Sequence, residues 1–215
     1  MLRIKVCGLT DPANVEEITR ADIDIAGFIF YSGSKRFVGI EPEGDLFGVV
    51  PPHIKRAGVF VNEKPETIKE ISEKSGLDII QLHGNESADY CRKIQLYGLQ
   101  VIKTFRVGSS IDMRLLKEFS GVCDYFLFDS GGTGYGGSGV KFNWNILEGI
   151  KPGRPFFISG GIGPEDVNRL KKIENRMFFG IDINSRFEIM PGIKDPEMVK
   201  KFAGEIKNEE YEIQN

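Results

Sequence analysis

Short, almost uninterrupted apolar runs alternate along the chain with longer segments in which apolar residues recur at helical spacing among charged ones. The apolar runs are Ile4 to Cys7, Ile25 to Phe30, Ala57 to Val61, Asp78 to Leu82, Gln100 to Phe105, Tyr125 to Asp129, Pro155 to Ser159 and Met177 to Asp182. Each has the length of a strand, and continuous apolarity suits strands covered on both faces. Helices are predicted from Asp11-Pro12, with Asp11 as N-cap and Pro12 in the first turn, and over Pro65–Lys74, Glu86–Gln95, Ile111–Phe119, Pro164–Lys172 and Asp195–Ile206. Glu43 to Val50 is the weakest helical segment. About eight βα units in one chain predict a parallel α/β domain closed as a single (β/α)8 TIM barrel over residues 1–207, with a polar tail over 208–215. An open doubly wound sheet is the other arrangement open to the same units.

At 215 residues the chain can bury one sizeable core. Its formal net charge of -3 gives no general attraction to nucleic acid or an anionic membrane. No apolar run approaches a membrane span, and the first residues carry no signal-peptide stretch. Three cysteines, Cys7, Cys91 and Cys123, with no C-x-x-C spacing, suit a reducing cytoplasm. Two histidines exclude a three-histidine zinc site, and no spacing suggests a carboxylate metal site, so no metal is expected.

If the barrel closes, its chemistry lies at the C-terminal strand ends. Cys7 there reads either as a thiol that a positive neighbour could activate or as a small buried hydrophobe. Asp129 reads either as a carboxyl whose pKa a dry mouth raises, making it a proton donor, or as a loop-fixing residue. Gly160-Gly161, followed by a helix opening at Pro164, suits backbone contact with phosphate; a tight turn would need the same glycines. Arg36 has a planar fork suited to a carboxylate or is a solvated loop charge, and His83 is a ligand-facing or a structural histidine. Gly131 to Gly139 contains G-x-G-x-x-G spacing, but no helix follows directly, and a substrate-covering loop is the better reading.

Together the strand ends form a recognisable set. Lys5-Val6-Cys7-Gly8, Ser34-Lys35-Arg36-Phe37-Val38, Gln81-Leu82-His83-Gly84, Gly136-Gly137-Ser138-Gly139 with Phe142 and Trp144, Ser159-Gly160-Gly161-Ile162 and Gly180-Ile181-Asp182-Ile183-Asn184-Ser185 occur in order. In these motifs the chain resembles the phosphoribosylanthranilate isomerases of tryptophan biosynthesis from Met1 to about Ile206. It departs from that pattern at Arg186-Phe187, where the family usually has Gly-Val, and at Asn143, where it often has Asp. The resemblance implies an Amadori rearrangement without cofactor, with Asp129 as acid and Cys7 as base. Arg36 and His83 would contact the substrate, and Gly160, Gly161, Asn184 and Ser185 would hold its phosphate. Asp182 would orient that loop. The implied partner is a small phosphorylated molecule, and the implied assembly is a monomer or homodimer. An epimerase-like phosphate-binding barrel and a non-catalytic phosphosugar-binding protein are the alternatives.

Overall fold

The computed structural model describes residues 1–42, 44–130 and 141–208. Eight parallel strands form a closed barrel in sequence order. They are β1 (Arg3–Cys7), β2 (Ile25–Ile29), β3 (Lys55–Phe60), β4 (Ile79–Leu82), β5 (Gln100–Val107), β6 (Tyr125–Ser130), β7 (Phe156–Ile158) and β8 (Phe178–Ile183). β1 and β8 close the seam, with Lys5 opposite Asp182. The open doubly wound alternative is thereby excluded. Outside the strands lie α1 (Pro12–Ile18), α2 (Pro65–Ser75), α3 (Ala88–Gln95), α4 (Met113–Phe119), α5 (Val167–Lys171) and α6 (Pro196–Lys207). A two-stranded hairpin, β9 (Glu188–Met190) and β10 (Ile193–Lys194), precedes α6. Among the described residues no helix is long and apolar enough to cross a membrane.

The helix starts follow local chemistry. Asp11 accepts from the Asn14 N–H at 2.7 Å, Ser87 from Tyr90 at 3.2 Å and Asp195 from Met198 at 3.0 Å, satisfying donors that the first turn leaves unpaired. Ser87 thus starts α3 two residues later than the apolar pattern suggests, and Glu86 turns inward. Residues 44–50 form turns rather than the helix expected there. Gly44 has φ +68°, and the Asp45 carboxylate takes the Gly48 N–H at 2.9 Å, which draws the backbone away from helical bonding. The segment still covers the barrel: the Phe47 ring lies edge-on to Phe28, 5.0 Å between centroids, and Leu46 and Val50 are buried. Where one helix was expected after β7, a 3-10 turn (Pro164–Asp166) leads into the short α5. The tail beyond Asn208 and the Gly-rich loop of residues 131–140 lie outside the described residues.

Side chains alternate along each strand, so every second residue enters the barrel. Ile25, Ala57, Ile79, Ile102, Leu127 and Phe157 form a separate apolar cluster inside it. Two residues further on, four of these strands present Gly27, Gln81, Thr104 and Asp129. The interior is therefore apolar below and polar toward the C-terminal mouth. Outside the barrel wall, Lys103 and Glu86 form a second buried polar node. The Lys103 ammonium lies 2.8 Å from a Glu86 oxygen and donates to the Gly84 carbonyl at 2.8 Å. Glu86 also accepts from the Asn62 and Gly84 N–H groups. Removing the carboxylate would strand a buried ammonium. Glu86→Ala is predicted to lower unfolding free energy by about 3–5 kcal/mol. A loss below about 1 kcal/mol in denaturant titration would show that the node does not hold the loops after β3 and β4.

Candidate active site

The polar ends of the strands line one cavity that contains Cys7, Gln81, His83, Asp129, Ser159, Gly160, Gly161, Asp182, Asn184 and Ser185. Cys7, at the end of β1, and Asp129, near the end of β6, are 122 positions apart in sequence and border the same space. Of the catalytic and substrate-binding residues expected from the sequence, Cys7, His83, Asp129, Gly160, Gly161, Asp182, Asn184 and Ser185 line it and Arg36 does not.

Lys5 enters the barrel two residues before Cys7, on the same face of β1. Its side chain is fully buried, and its Nζ lies 3.0 Å from each carboxylate oxygen of Asp182. Burial disfavours the ammonium, but Asp182 and the Cys7 sulfur outweigh that and hold the Lys5 pKa above its ordinary value. Burial pushes the Asp182 carboxyl up, with Lys5 opposing it. Burial also pushes the Cys7 thiol up; Lys5 and Lys194 favour the thiolate and Asp182 opposes it. Sequence reading did not single out Lys5, although a lysine inside the apolar run of β1 marks a buried charge that needs a partner.

Asp129 accepts from the Ser159 hydroxyl at 2.7 Å and lies 3.4 Å from His83 Nε2. On the ring's other side, Nδ1 lies 3.2 Å from the Gln81 side-chain amide. Here the structure corrects the sequence reading. Burial does push Asp129 upward, but His83 and Ser159 outweigh it and hold the carboxyl below its ordinary range. These neighbours therefore favour the carboxylate over a ready proton donor. Gln81 is 1% exposed and its Oε1 has no partner among the described residues, leaving a buried acceptor in the cavity wall.

Arg36 also differs from expectation. Its fork is engaged within the chain: Nε donates to Glu188 Oε1 and Nη2 to Oε2, both at 2.6 Å. Lys194 and the Gly192 N–H donate to the same carboxylate, at 2.6 and 3.1 Å. A half-buried guanidinium requires such a counter-charge, and β9 supplies it from 152 positions away. Arg36 remains beside the mouth, since a Cβ on Gly8 would fall 2.5 Å from its Cδ.

The opposite rim is built from backbone. Gly160 and Gly161 have φ of +89° and +67°, and a Cβ on Gly160 would lie 2.2 Å from Ser130 Oγ. Only glycine fits there. Among the described residues no backbone carbonyl accepts from the Gly160 or Gly161 N–H. Asn184 follows β8, its Oδ1 bound by Lys194 Nζ at 2.6 Å, and Ser185 opens a 3-10 turn. Arg186 lies within that turn without left-handed backbone and bonds Glu165 at 2.7 Å, so the replaced glycine costs no strain.

A family model described as N-(5'phosphoribosyl)anthranilate (PRA) isomerase matches residues 4–205. The N-(5'-phosphoribosyl)anthranilate isomerase of Phocaeicola vulgatus is 43% identical over 204 residues, covering 95% of this chain and 97% of the relative. The crystal structure of the Thermotoga maritima phosphoribosyl anthranilate isomerase superposes with a TM-score of 0.83 at 34% identity, covering 96% of this chain and 99% of that one. A phosphoribosyl anthranilate isomerase in complex with reduced 1-(o-carboxyphenylamino)-1-deoxyribulose 5-phosphate superposes with a TM-score of 0.80 at 31% identity, covering the same 96% and 99%.

The Arg36–Glu188–Lys194 cluster carries a pH signature. Burial would raise Glu188, but Arg36 and Lys194 hold it down at about 2 against an ordinary 4.5. A folded-state pKa below the unfolded one stabilises above the unfolded value, and that stability is lost as pH falls through the folded value. The melting-temperature advantage of wild type over Glu188→Gln is therefore predicted to be full above about pH 4.5 and to shrink toward about pH 2. An advantage constant across that window would contradict the pairing.

Proposed function

This chain belongs to the N-(5'-phosphoribosyl)anthranilate isomerase family, and from that premise we propose that its barrel-mouth cavity rearranges the substrate with Asp129 as acid and Cys7 as base. The activity is that of an isomerase of tryptophan biosynthesis. It converts N-(5-phosphoribosyl)anthranilate to 1-(2-carboxyphenylamino)-1-deoxyribulose 5-phosphate. The observation that carries the residue roles is the convergence of a thiol and a carboxyl on one cavity whose rim after β7 is glycine backbone.

Asp129 gives a proton to the furanose ring oxygen, the C1–O bond breaks and an iminium forms between C1 and nitrogen. Cys7, as thiolate, removes the C2 proton, and those electrons form the C1–C2 double bond of an enolamine as the iminium is neutralised. A proton then returns to C1 while the C2 hydroxyl loses one, giving the ketone. Protons balance over the sequence, and the iminium nitrogen is the electron sink. This order requires substrate to raise the Asp129 carboxyl against the pull of His83 and Ser159. A phosphate and a carboxylate entering the cavity bring negative charge and exclude water, both of which favour the protonated carboxyl.

Gly160, Gly161, Asn184 and Ser185 hold the phosphate through backbone N–H groups. Arg36 meets the anthranilate carboxylate with its remaining Nη1 edge, the rest of the fork being fixed by Glu188. Asp182 acts through Lys5 rather than on the substrate phosphate. His83 orients Asp129. Three cysteines that are free and buried suit a reducing cytoplasm, where Cys7 would remain a thiol.

General acid–base steps contribute roughly 10²- to 10⁴-fold each. Cys7→Ser and Asp129→Asn are each predicted to lower kcat at least about tenfold, with unchanged circular dichroism. Turnover is followed as loss of the anthranilate adduct's fluorescence. Full activity in either variant would remove that residue from its role.

A further inference from the structure

The mechanism needs a thiolate at a site whose burial favours the thiol, and it leaves one buried charge, Lys5, unused. We propose that Lys5 is the positioning residue that favours the thiolate of Cys7 over the thiol, and that Asp182 is the counter-charge that keeps Lys5 protonated and moderates its pull on the sulfur. This inference rests on the reading of Cys7 as the base.

The geometry is that of three strands meeting at the seam. Lys5 and Cys7 share the inner face of β1; Asp182 on β8 is in register with Lys5, and Gly27 on β2 is in register with Cys7. Gly27 leaves the space between them open. A Cβ at that position would lie 3.1 Å from the Cys7 Sγ and 3.2 Å from the Lys5 Nζ, so the ammonium and the sulfur border the same gap. Both Asp182 oxygens are on the Lys5 ammonium, and no solvent reaches its side chain, so its charge is fixed in direction and weakly screened.

The other charged groups around Cys7 are differently committed. Lys194 on β10 favours the thiolate more weakly, and its ammonium is shared by Glu188 and Asn184, each at 2.6 Å. Arg36, from the loop after β2, is locked to Glu188. Asp129 on β6 and His83, just after β4, line the cavity with Cys7 but engage each other.

The test reads the thiol directly, without turnover. The rate of iodoacetamide alkylation of Cys7 is measured against pH in the whole protein, with the modified peptide quantified by mass spectrometry so that Cys91 and Cys123 do not contribute. Lys5→Met is expected to raise the apparent thiol pKa by about one unit or more, lowering alkylation near neutral pH about tenfold. Asp182→Asn is expected to move it the opposite way. Shifts of opposite sign from two partners of one ion pair are not what general loosening would produce. Because Lys5→Met alone strands a buried carboxylate, Lys5→Met/Asp182→Asn provides a variant without buried charge, whose thiol should also titrate higher than wild type. An unmoved or lowered titration in both Lys5 variants, or a raised one in Asp182→Asn, overturns the proposal. The acidic limb of kcat/KM is followed in parallel. If the thiol titration moves and that limb does not, the assignment of Cys7 as base fails while the control of its ionisation by Lys5 stands.

Discussion

An ammonium with no solvent around it sits at the seam of this barrel, and its two bonds to Asp182 make that position tolerable. Removing a charge from water costs several kcal/mol even after relaxation, and only a close counter-charge with good geometry offsets it. The pair joins the first strand to the last, so it can form only when the barrel is closed. It sits above the interior apolar cluster and directly below the cavity. Chain closure, the polarity of the mouth and the electrostatic surroundings of Cys7 thus depend on the same two side chains. Ion pairs in such places contribute little net stability, which points to a role in the site's chemistry rather than in the fold's free energy.

The rest of the mouth follows the same rule. Arg36 and Lys194 are balanced by Glu188, and His83 faces Asp129. Glu188 also ties the loop after β2 to the β9–β10 hairpin. Under the proposed reading, an anionic substrate would meet cations whose orientation is already fixed. Their remaining donors can act on it without first being ordered, which is the advantage of a preorganised site.

Much of this arrangement was legible in the sequence, and the parts that were not share a cause. The apolar runs located all eight strands, because both faces of each strand are covered, and the strand-end residues then fell at one mouth by topology alone. Residues 44–50 defeated the helical reading because an Asp side chain competed for the backbone, a contest that hydrophobic spacing does not record. The partner of Arg36 lies 152 positions away, so sequence could offer its fork to a ligand but could not show Glu188 on it. For Asp129, a dry environment was the correct inference, but the direction of its pKa was decided by His83 and Ser159, which converge on it only after closure. Lys5 was visible as a charge in an apolar run, yet the motif drew attention to the cysteine beside it.

Their surroundings shift the acid and the base in opposite directions. Burial pushes the Cys7 thiol up and hydrogen bonds hold the Asp129 carboxyl down, each against the direction that the proposed first proton transfers require. Under the proposed reading, the charge of the substrate has to offset these shifts. A phosphate on the glycine rim and a carboxylate near Arg36 would do so at Asp129, by adding negative charge beside a carboxylate already short of solvent. The same anions would oppose a thiolate, so Cys7 needs a cation that the substrate cannot neutralise. A lysine beneath the cavity floor, out of contact with solvent and paired to a carboxylate of the barrel wall, meets that requirement; Arg36 and Lys194, on the mouth-side loop and hairpin, are nearer to where the substrate's charges would lie.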